Sequence, residues 1–472
     1  LYRQRLEDVM SSPPICIDAD CSLREASRLM AEKGIGCAIV TGDDGTHGIL
    51  SERDILRAQA EKGSEASAVT AGTVMSVPVI AAPGDTFLYR ALGLMARKNL
   101  RYLGVTGASG ELVGIFTLRT LLRERALATL TLGDEIAAAS RPRELARVQA
   151  ELPSLAAGLL SDGLDARAVA AVISAERRAM ATRAAEIAEG ELIAAGQGAA
   201  PADYALLVLG SAGRGESLLA PDRDNVLVIA DGYRGDLGSA EDWFTRFATR
   251  VNEILHRAGI PYCDSGVMAR NRVWRRRLSE WLNEVRSWAE HPTPKVLANV
   301  DIFFDFTPVH VSSKAGARLA ETLRTEATAI VRTAPGLLSA MSDGASGRNA
   351  ALGLFGRIRK DGSGRTDLKA AMLPIVAGAR TAALRRGIGS LPTAQRIREV
   401  AAAAGYPQAD AALLLDIHGF LMRLILTQQI ADIEAGVKPS NRVDLNILRR
   451  QDRERLHDAL HRTGMIRELL QT

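Results

Sequence analysis

An apolar run, Tyr204-Ala205-Leu206-Leu207-Val208-Leu209, leads straight into Gly210-Ser211-Ala212-Gly213-Arg214-Gly215-Glu216, and a second run opens with Asp222-Arg223-Asp224-Asn225. Strand geometry has a period of two, so it would put Asp222 and Asp224 on one face. Two aligned carboxylates repel, and a hard divalent cation removes that penalty. Mg²⁺ typically takes one or two carboxylates together with substrate phosphates, and Mn²⁺ is the natural substitute. Gly210 lets the backbone approach a phosphate closely, while Ser211 and the amides after it can donate to it. Arg214 can add positive charge. The chemistry that needs this set is nucleotidyl transfer, in which metal ions clamp a triphosphate and stabilise the pyrophosphate leaving group.

Such a site calls for a third carboxylate, to complete the metal shell and to serve as base for an attacking hydroxyl. Val300-Asp301-Ile302-Phe303-Phe304-Asp305-Phe306 reads as the strand that supplies it. Alternation puts Asp301 and Asp305 on the same face and does not choose between them. Cys263 reads as structural, with no His or Asp partner apparent for a thiolate. Arg272, Arg275, Arg276 and Arg277 read as the solvated opening of a helix that carries Trp281 and Trp288.

The elements around these residues follow from composition and pattern. The chain has 472 residues, enough for about three domains. It is 47% hydrophobic but only 4% aromatic, so its cores are expected to be aliphatic and largely helical. Net charge is +4, with Lys and Arg interspersed with Asp and Glu, which gives no push towards nucleic acid or membrane. Four cysteines without a CxxC pair fit a reducing compartment, and a cytoplasmic location is the expectation. The most apolar stretch, 411–430, is interrupted by Asp416, His418 and Arg423. The chain opens on Leu1, without Met or a visible signal peptide, and reads as a fragment from which an upstream domain could be missing.

An internal repeat organises the first quarter. Val9-Met10-Ser11 recurs as Val74-Met75-Ser76, and Gly48-Ile49-Leu50-Ser51 as Gly114-Ile115-Phe116-Thr117. Between these anchors each copy reads as an extended piece, a helix and a short strand. Leu23, Ala26, Met30 and Ala31 form the buried helix face in one copy, and Leu88, Ala91, Leu92 and Met95 in the other. From 126 to 198 the pattern changes to Ala-rich amphipathic helices, read as a linker whose Arg and Glu residues face solvent. Residues beyond 313 read as all-helical, with His418 and Gln428 packed inside.

Three resemblances sharpen this reading. The repeat resembles a tandem CBS module, which implies β-α-β-β-α units that bind an adenine nucleotide. Within it Ser51 and Thr117 would touch phosphate and Asp54 would take ribose hydroxyls. The pattern is complete in Gly48 to Asp54, whereas Thr120 stands where the second copy should have Asp. Gly210-Ser211 followed by Asp222-x-Asp224 is similar to the DNA polymerase β-like nucleotidyltransferase signature. Residues 140–472 resemble the nucleotidyltransferase domain, akin to PII-protein uridylyltransferases, that follows CBS pairs in bacterial signalling proteins. That resemblance rests on 210–216, 222–225, 263–269 and 303–306, and it places the third carboxylate at Asp305. Arg223 replaces the usual Gln, and Thr307 stands where an Arg normally lies.

The implied architecture is α/β plus all-α. A CBS pair occupies 1–125, helices 126–198, a mixed-sheet nucleotidyltransferase domain 199–312 and a helical bundle 313–472. Asp222, Asp224 and Asp305 are the expected catalytic and metal ligands, and Gly210, Ser211, Arg214 and Glu216 the expected nucleotide contacts. The implied activity moves UMP or AMP from an NTP to a protein or small-molecule hydroxyl, under adenine-nucleotide control and in a homodimer. The alternative is a non-catalytic nucleotide sensor that keeps the fold for binding.

Overall fold

The computed structural model describes residues 5–471 apart from 43–44, 87, 99, 108, 118–131, 221–222, 234–235, 346–350 and 354–356. Contacts divide the chain into two compact units, Leu1–Leu130 and Thr131–Thr472.

In the first unit β1 (Cys16–Asp18), β2 (Cys37–Thr41) and β3 (His47–Ser51) form one sheet. A second is made by β4 (Ala81–Pro83), β5 (Tyr102–Thr106) and β6 (Leu112–Thr117). In each, the first pair is parallel and the second antiparallel, with the helices Leu23–Lys33 and Leu88–Lys98 making the crossovers. The helix Leu23–Lys33 starts in a reciprocal Ser22–Glu25 capping box and stops at Gly34, whose φ of 63° suits glycine. It buries Leu23, Ala26 and Met30; Ala31, expected beside them, follows Met30 directly, turns off that face and is exposed.

The repeated Val-Met-Ser segments cross between the copies. Met10 lies against Gly114 and Met75 against Gly48, so closely that a Cβ on either glycine would collide with the methionine sulfur. Ser11 pairs with Ile115 and Ser76 with Ile49. Tyr102 Oη donates to Gly36 O at 3.0 Å, over a small core of Cys37, Ile39 and Ile115 that both copies share.

The second unit is built on the sheet β10-β7-β8-β9, with β7 at Tyr204–Val208, β8 at Asn225–Ile229, β9 at Arg275–Arg277 and β10 at Thr307–Val311. Only β8 and β9 run parallel. Strands β7 and β8 are apolar at nearly every position because both faces are covered. Tyr204, Leu206, Leu227 and Ile229 pack with the helices Ala166–Ala194 and Leu237–Arg257. Ala205, Leu207, Val226 and Val228 pack with the helices Leu278–Glu290 and Lys314–Arg332.

The expected strand over 300–306 is instead the end of a helix, Pro294–Phe303, with Thr293 as its cap and Pro294 in its first turn. Val300, Phe303 and Phe304 fall at helical spacing and are buried, a pattern that a short apolar run leaves ambiguous. Arg275 to Arg277 form β9 rather than opening the Trp-rich helix. The helices Pro142–Ser161 and Ala166–Ala194 share one core with the sheet and the C-terminal helices. Within the region read as all-helical, β11 (Arg365–Asp367) pairs antiparallel with β12 (Arg442–Asp444).

The segment between the Gly-Ser turn and β8 is held from three sides. Arg177, expected to face solvent, is buried and donates to Leu218 O at 2.5 Å and Leu219 O at 3.0 Å. Ser174 Oγ accepts from Ser217 N, and Gln429 Oε1 accepts from Leu219 N and Ala220 N. Replacing Gln429 by Leu strands those two amides. The full chain should lose about 1–3 kcal/mol, read from the denaturant midpoint.

Candidate active site

Gly210 begins a five-residue helix, Gly210–Arg214, directly after β7, at a φ of 58° that favours glycine. Leu209 N donates to Asp224 O at 2.9 Å, which ties the end of β7 to the residue before β8. Asp224 therefore sits ahead of the strand rather than within it. Its carboxylate lies beside the turn, where a Cβ added to Gly210 would come 3.4 Å from Oδ2. Gly213 packs on Asp305 O so tightly that no side chain fits. Thr307, where an Arg was expected, donates from Oγ1 to Gly213 O at 2.8 Å and braces the same short helix.

A cavity of about 1080 Å³ opens at this end of the sheet. Gly210, Ser211, Asp224 and Asp301 line one side, and Lys369, Leu373 and Lys438 come from the C-terminal region. Asp301 is about half exposed at the cavity wall and receives Arg380 Nη1 at 2.7 Å. Partial desolvation at the cavity wall raises its carboxyl, Arg380 pulls the other way, and the neighbouring Asp305 charge raises it further. Asp222 and Thr120 lie outside the described residues.

Asp305 has a different environment from the one expected of a metal ligand. It is fully buried, and both oxygens are taken by guanidinium groups. Arg214 Nη1 reaches Oδ2 at 2.6 Å, Arg380 reaches the same oxygen through Nε and Nη2 at 2.9 and 2.7 Å, and Arg396 Nη1 reaches Oδ1 at 2.6 Å. These positive charges overcome burial and hold the carboxyl far below its ordinary range. A cation would have to displace arginine to reach it. Asp305 lies two residues beyond the end of the helix that carries Asp301, and only Asp301 meets the cavity.

Arg214 and Glu216, expected at the nucleotide, complete this cage. Arg214 Nε donates to Glu216 Oε2 at 2.7 Å. Glu216 in turn accepts from Thr393 N at 2.6 Å and Thr393 Oγ1 at 3.0 Å, at the start of the helix Thr393–Ala404. Arg223 is buried too, donating to Asn252 O and Ile260 O and lying over the Tyr262 ring at 4.4 Å. Cys263 has an acidic neighbour that sequence reasoning missed. Burial and then a hydrogen bond to Asp224 push its thiol up, so it stays protonated. Asp367 caps the helix Leu368–Arg386 through Ala370 N.

The donor set can be weighed against a metal. Among the described residues no cluster of three or more His, Cys, Asp or Glu is arranged to hold an ion. Asp224 and Asp301 on one cavity wall suit an Mg²⁺ that arrives with triphosphate oxygens completing its shell.

In the first unit Ser51 and Asp54 are tied to each other. Ser51 Oγ donates to Asp54 Oδ2 at 2.6 Å, Ser51 N donates to the same oxygen at 3.0 Å, and Arg57 Nη2 holds Oδ1 at 2.6 Å. This capping box starts the helix Glu52–Lys62. Thr117 ends β6 at the corresponding place in the second copy.

Family models match most of the chain. One described as "Putative nucleotidyltransferase DUF294" matches 150–295, one described as "Putative nucleotidyltransferase substrate binding domain" matches 335–472, and the CBS domain model matches 6–61 and 71–127. An uncharacterized protein of Methanopyrus kandleri is 31% identical over 113 residues, 24% of this chain and 58% of that protein. Hypoxic response protein 1 of Mycobacterium tuberculosis is 27% identical over 117 residues, 25% of this chain and 81% of that protein. The meiotically up-regulated gene 70 protein of Schizosaccharomyces pombe is 29% identical over 122 residues, 24% of this chain and 17% of that protein. The matches thus span under two thirds of the Methanopyrus and Schizosaccharomyces proteins. Among solved structures, a CBS domain protein of Pyrobaculum aerophilum complexed with AMP is 29% identical. It covers 26% of this chain and 95% of its own, with a TM-score of 0.24.

Two substitutions test the cage. Asp305→Ala leaves buried guanidinium groups without their carboxylate and should cost about 3–5 kcal/mol in denaturant unfolding. Because the Asp305 pKa is lowered on folding, its contribution is present above the unfolded value near ~4 and is lost only as pH falls through the far lower folded value. The wild-type minus Asp305→Ala difference should therefore stay constant between pH 5 and 8. Gly213→Ala should cost about 1–3 kcal/mol by forcing the short helix off Asp305.

Proposed function

From a chain that joins a CBS pair to the DUF294 domain and its substrate-binding partner domain, we propose a nucleotidyltransferase that moves a nucleoside monophosphate, UMP or AMP, from an NTP to a hydroxyl of a protein or small molecule. The observation that carries this reading is that Asp224 and Asp301 line one cavity with the Gly210-Ser211 turn. Ser211 Oγ and the turn amides are placed to hold phosphate oxygens. Asp224 and Asp301, with Asp222 as the third candidate, would hold Mg²⁺ or Mn²⁺. When bound, that ion would polarise the α-phosphorus and neutralise the departing pyrophosphate. Asp301, on the cavity wall, is the residue we assign to take the proton from the acceptor hydroxyl. Lys369 and Lys438 face it from the substrate-binding domain and would attract the triphosphate.

Asp305, Arg214 and Glu216 take a different role in this proposal: they fix the Gly-Ser turn against the C-terminal helices. Thr307, bonded to Gly213, favours one alternative, a sensor that binds nucleotide without transferring it. In the first unit, Ser51 and Asp54 at the start of the helix Glu52–Lys62 are the proposed contacts of a regulatory adenine nucleotide, with Thr117 as the second-copy counterpart. Pairing of two chains through the CBS modules belongs to the same proposal. No described helix is long and apolar enough to cross a membrane.

Radiolabelled NTP with Mg²⁺ and cell extract should mark an acceptor and release pyrophosphate. Asp224→Ala should lower labelling at least 100-fold with the melting temperature kept within about 2 °C, and Asp301→Asn, which keeps an oxygen for Arg380, should lower it by a similar factor. Tight NTP binding without pyrophosphate release across acceptors would select the sensor. Labelling unchanged in both variants would remove the transferase.

A further inference from the structure

The cavity has a second end that the phosphate and metal reading does not use. There the ring of His256, in the last turn of the helix Leu237–Arg257, stacks on Tyr262 with centroids 4.3 Å apart and planes within 14°. Arg223 and Arg270 lie over Tyr262 as well, at 4.4 and 4.8 Å. His256 itself is exposed, and both rings line the cavity. Gly259, at a φ of 87°, follows without a side chain, and a Cβ there would lie 3.6 Å from Gln149 Cγ. Gln149 also lines the cavity, and its Oε1 accepts from Arg177 Nε at 3.4 Å.

Arg223 precedes Asp224 directly, Cys263 follows Tyr262, and all four line the cavity. The aromatic pair and the carboxylate assigned to the triphosphate thus line one cavity, and in a nucleotide the ribose sets base and phosphates in such neighbouring but separate places. We infer that His256 and Tyr262, with Gln149 at their edge, form the nucleobase subsite of the cleft. A planar base would continue the stack on the exposed His256 ring, and Gln149 Nε2 would donate to an acceptor on its edge. Stacking accepts any base, so this end supplies affinity for nucleosides over bare polyphosphate. The inference rests on the cleft binding an NTP, as proposed above.

The test compares Mg²⁺·NTP with Mg²⁺·tripolyphosphate by calorimetry on the full chain, each corrected with the Asp224→Ala chain so that binding at the CBS pair cancels. His256→Ala should weaken the NTP about 5- to 30-fold and leave tripolyphosphate unchanged. Tyr262→Leu should move in the same direction. If wild type binds both probes and His256→Ala leaves the NTP unchanged, or weakens both equally, the subsite is overturned while the transferase reading stands. If wild type binds neither, both fall.

Discussion

A carboxylate with no access to water must have its charge answered inside the protein, and Asp305 has three guanidinium groups around it. They arrive from points 91, 75 and 91 residues away along the chain. Counting Asp301 and Glu216, which share the same arginines, three carboxylates face three guanidinium groups. Satisfied buried charge of this kind adds little to stability over an apolar core, but removing one member is severe, so it specifies geometry more than it strengthens the fold. The geometry specified is the seat of the Gly210–Arg214 helix on the C-terminal helices.

That seat explains why the cleft has two walls of different origin. The sheet supplies the Gly-Ser turn and Asp224, while the helix Leu368–Arg386 supplies Lys369, Leu373 and, from inside the cage, Arg380. Arg380 is common to both regions, with one nitrogen on the cavity-facing Asp301 and two on the enclosed Asp305. The wall and the cage are therefore parts of one charge network, and the C-terminal helices are joined to the sheet by ion pairs as well as by apolar packing.

Much of the fold was legible. The CBS repeat, the helices flanking it, β7, β8 and the Gly-Ser turn all carry strong periodicity or glycine placement. Over 300–306 the sequence is ambiguous, since Val300, Phe303 and Phe304 serve either period over so few residues, and it is the Thr293-Pro294 start that makes the segment helical. At the site, sequence reasoning found Gly210, Ser211 and Asp224 at the cavity. Glu216 and Asp305, expected as ligands, lie in the cage, and Arg214 joins it while also lining the cavity, because a motif shows residue type and order but not every partner a long side chain finds. Arg380 and Arg396 lie on a helical bundle whose polar positions look alike in one dimension. For Arg380 a signal was present in its setting among Ile375, Val376, Ala379 and Ala382, unusual for arginine.

The exchange of methionines in the first unit has a consequence for how that unit arose and can be altered. Met10 fills the space left by Gly114, and Met75 fills that left by Gly48, so neither half completes its own interior. Excising one copy would uncover a cleft on the survivor, which only a second chain supplying the absent sulfur-bearing segment could fill. The two halves are consequently bound to change in concert, and a bulkier residue at either glycine calls for a smaller one in the opposite half.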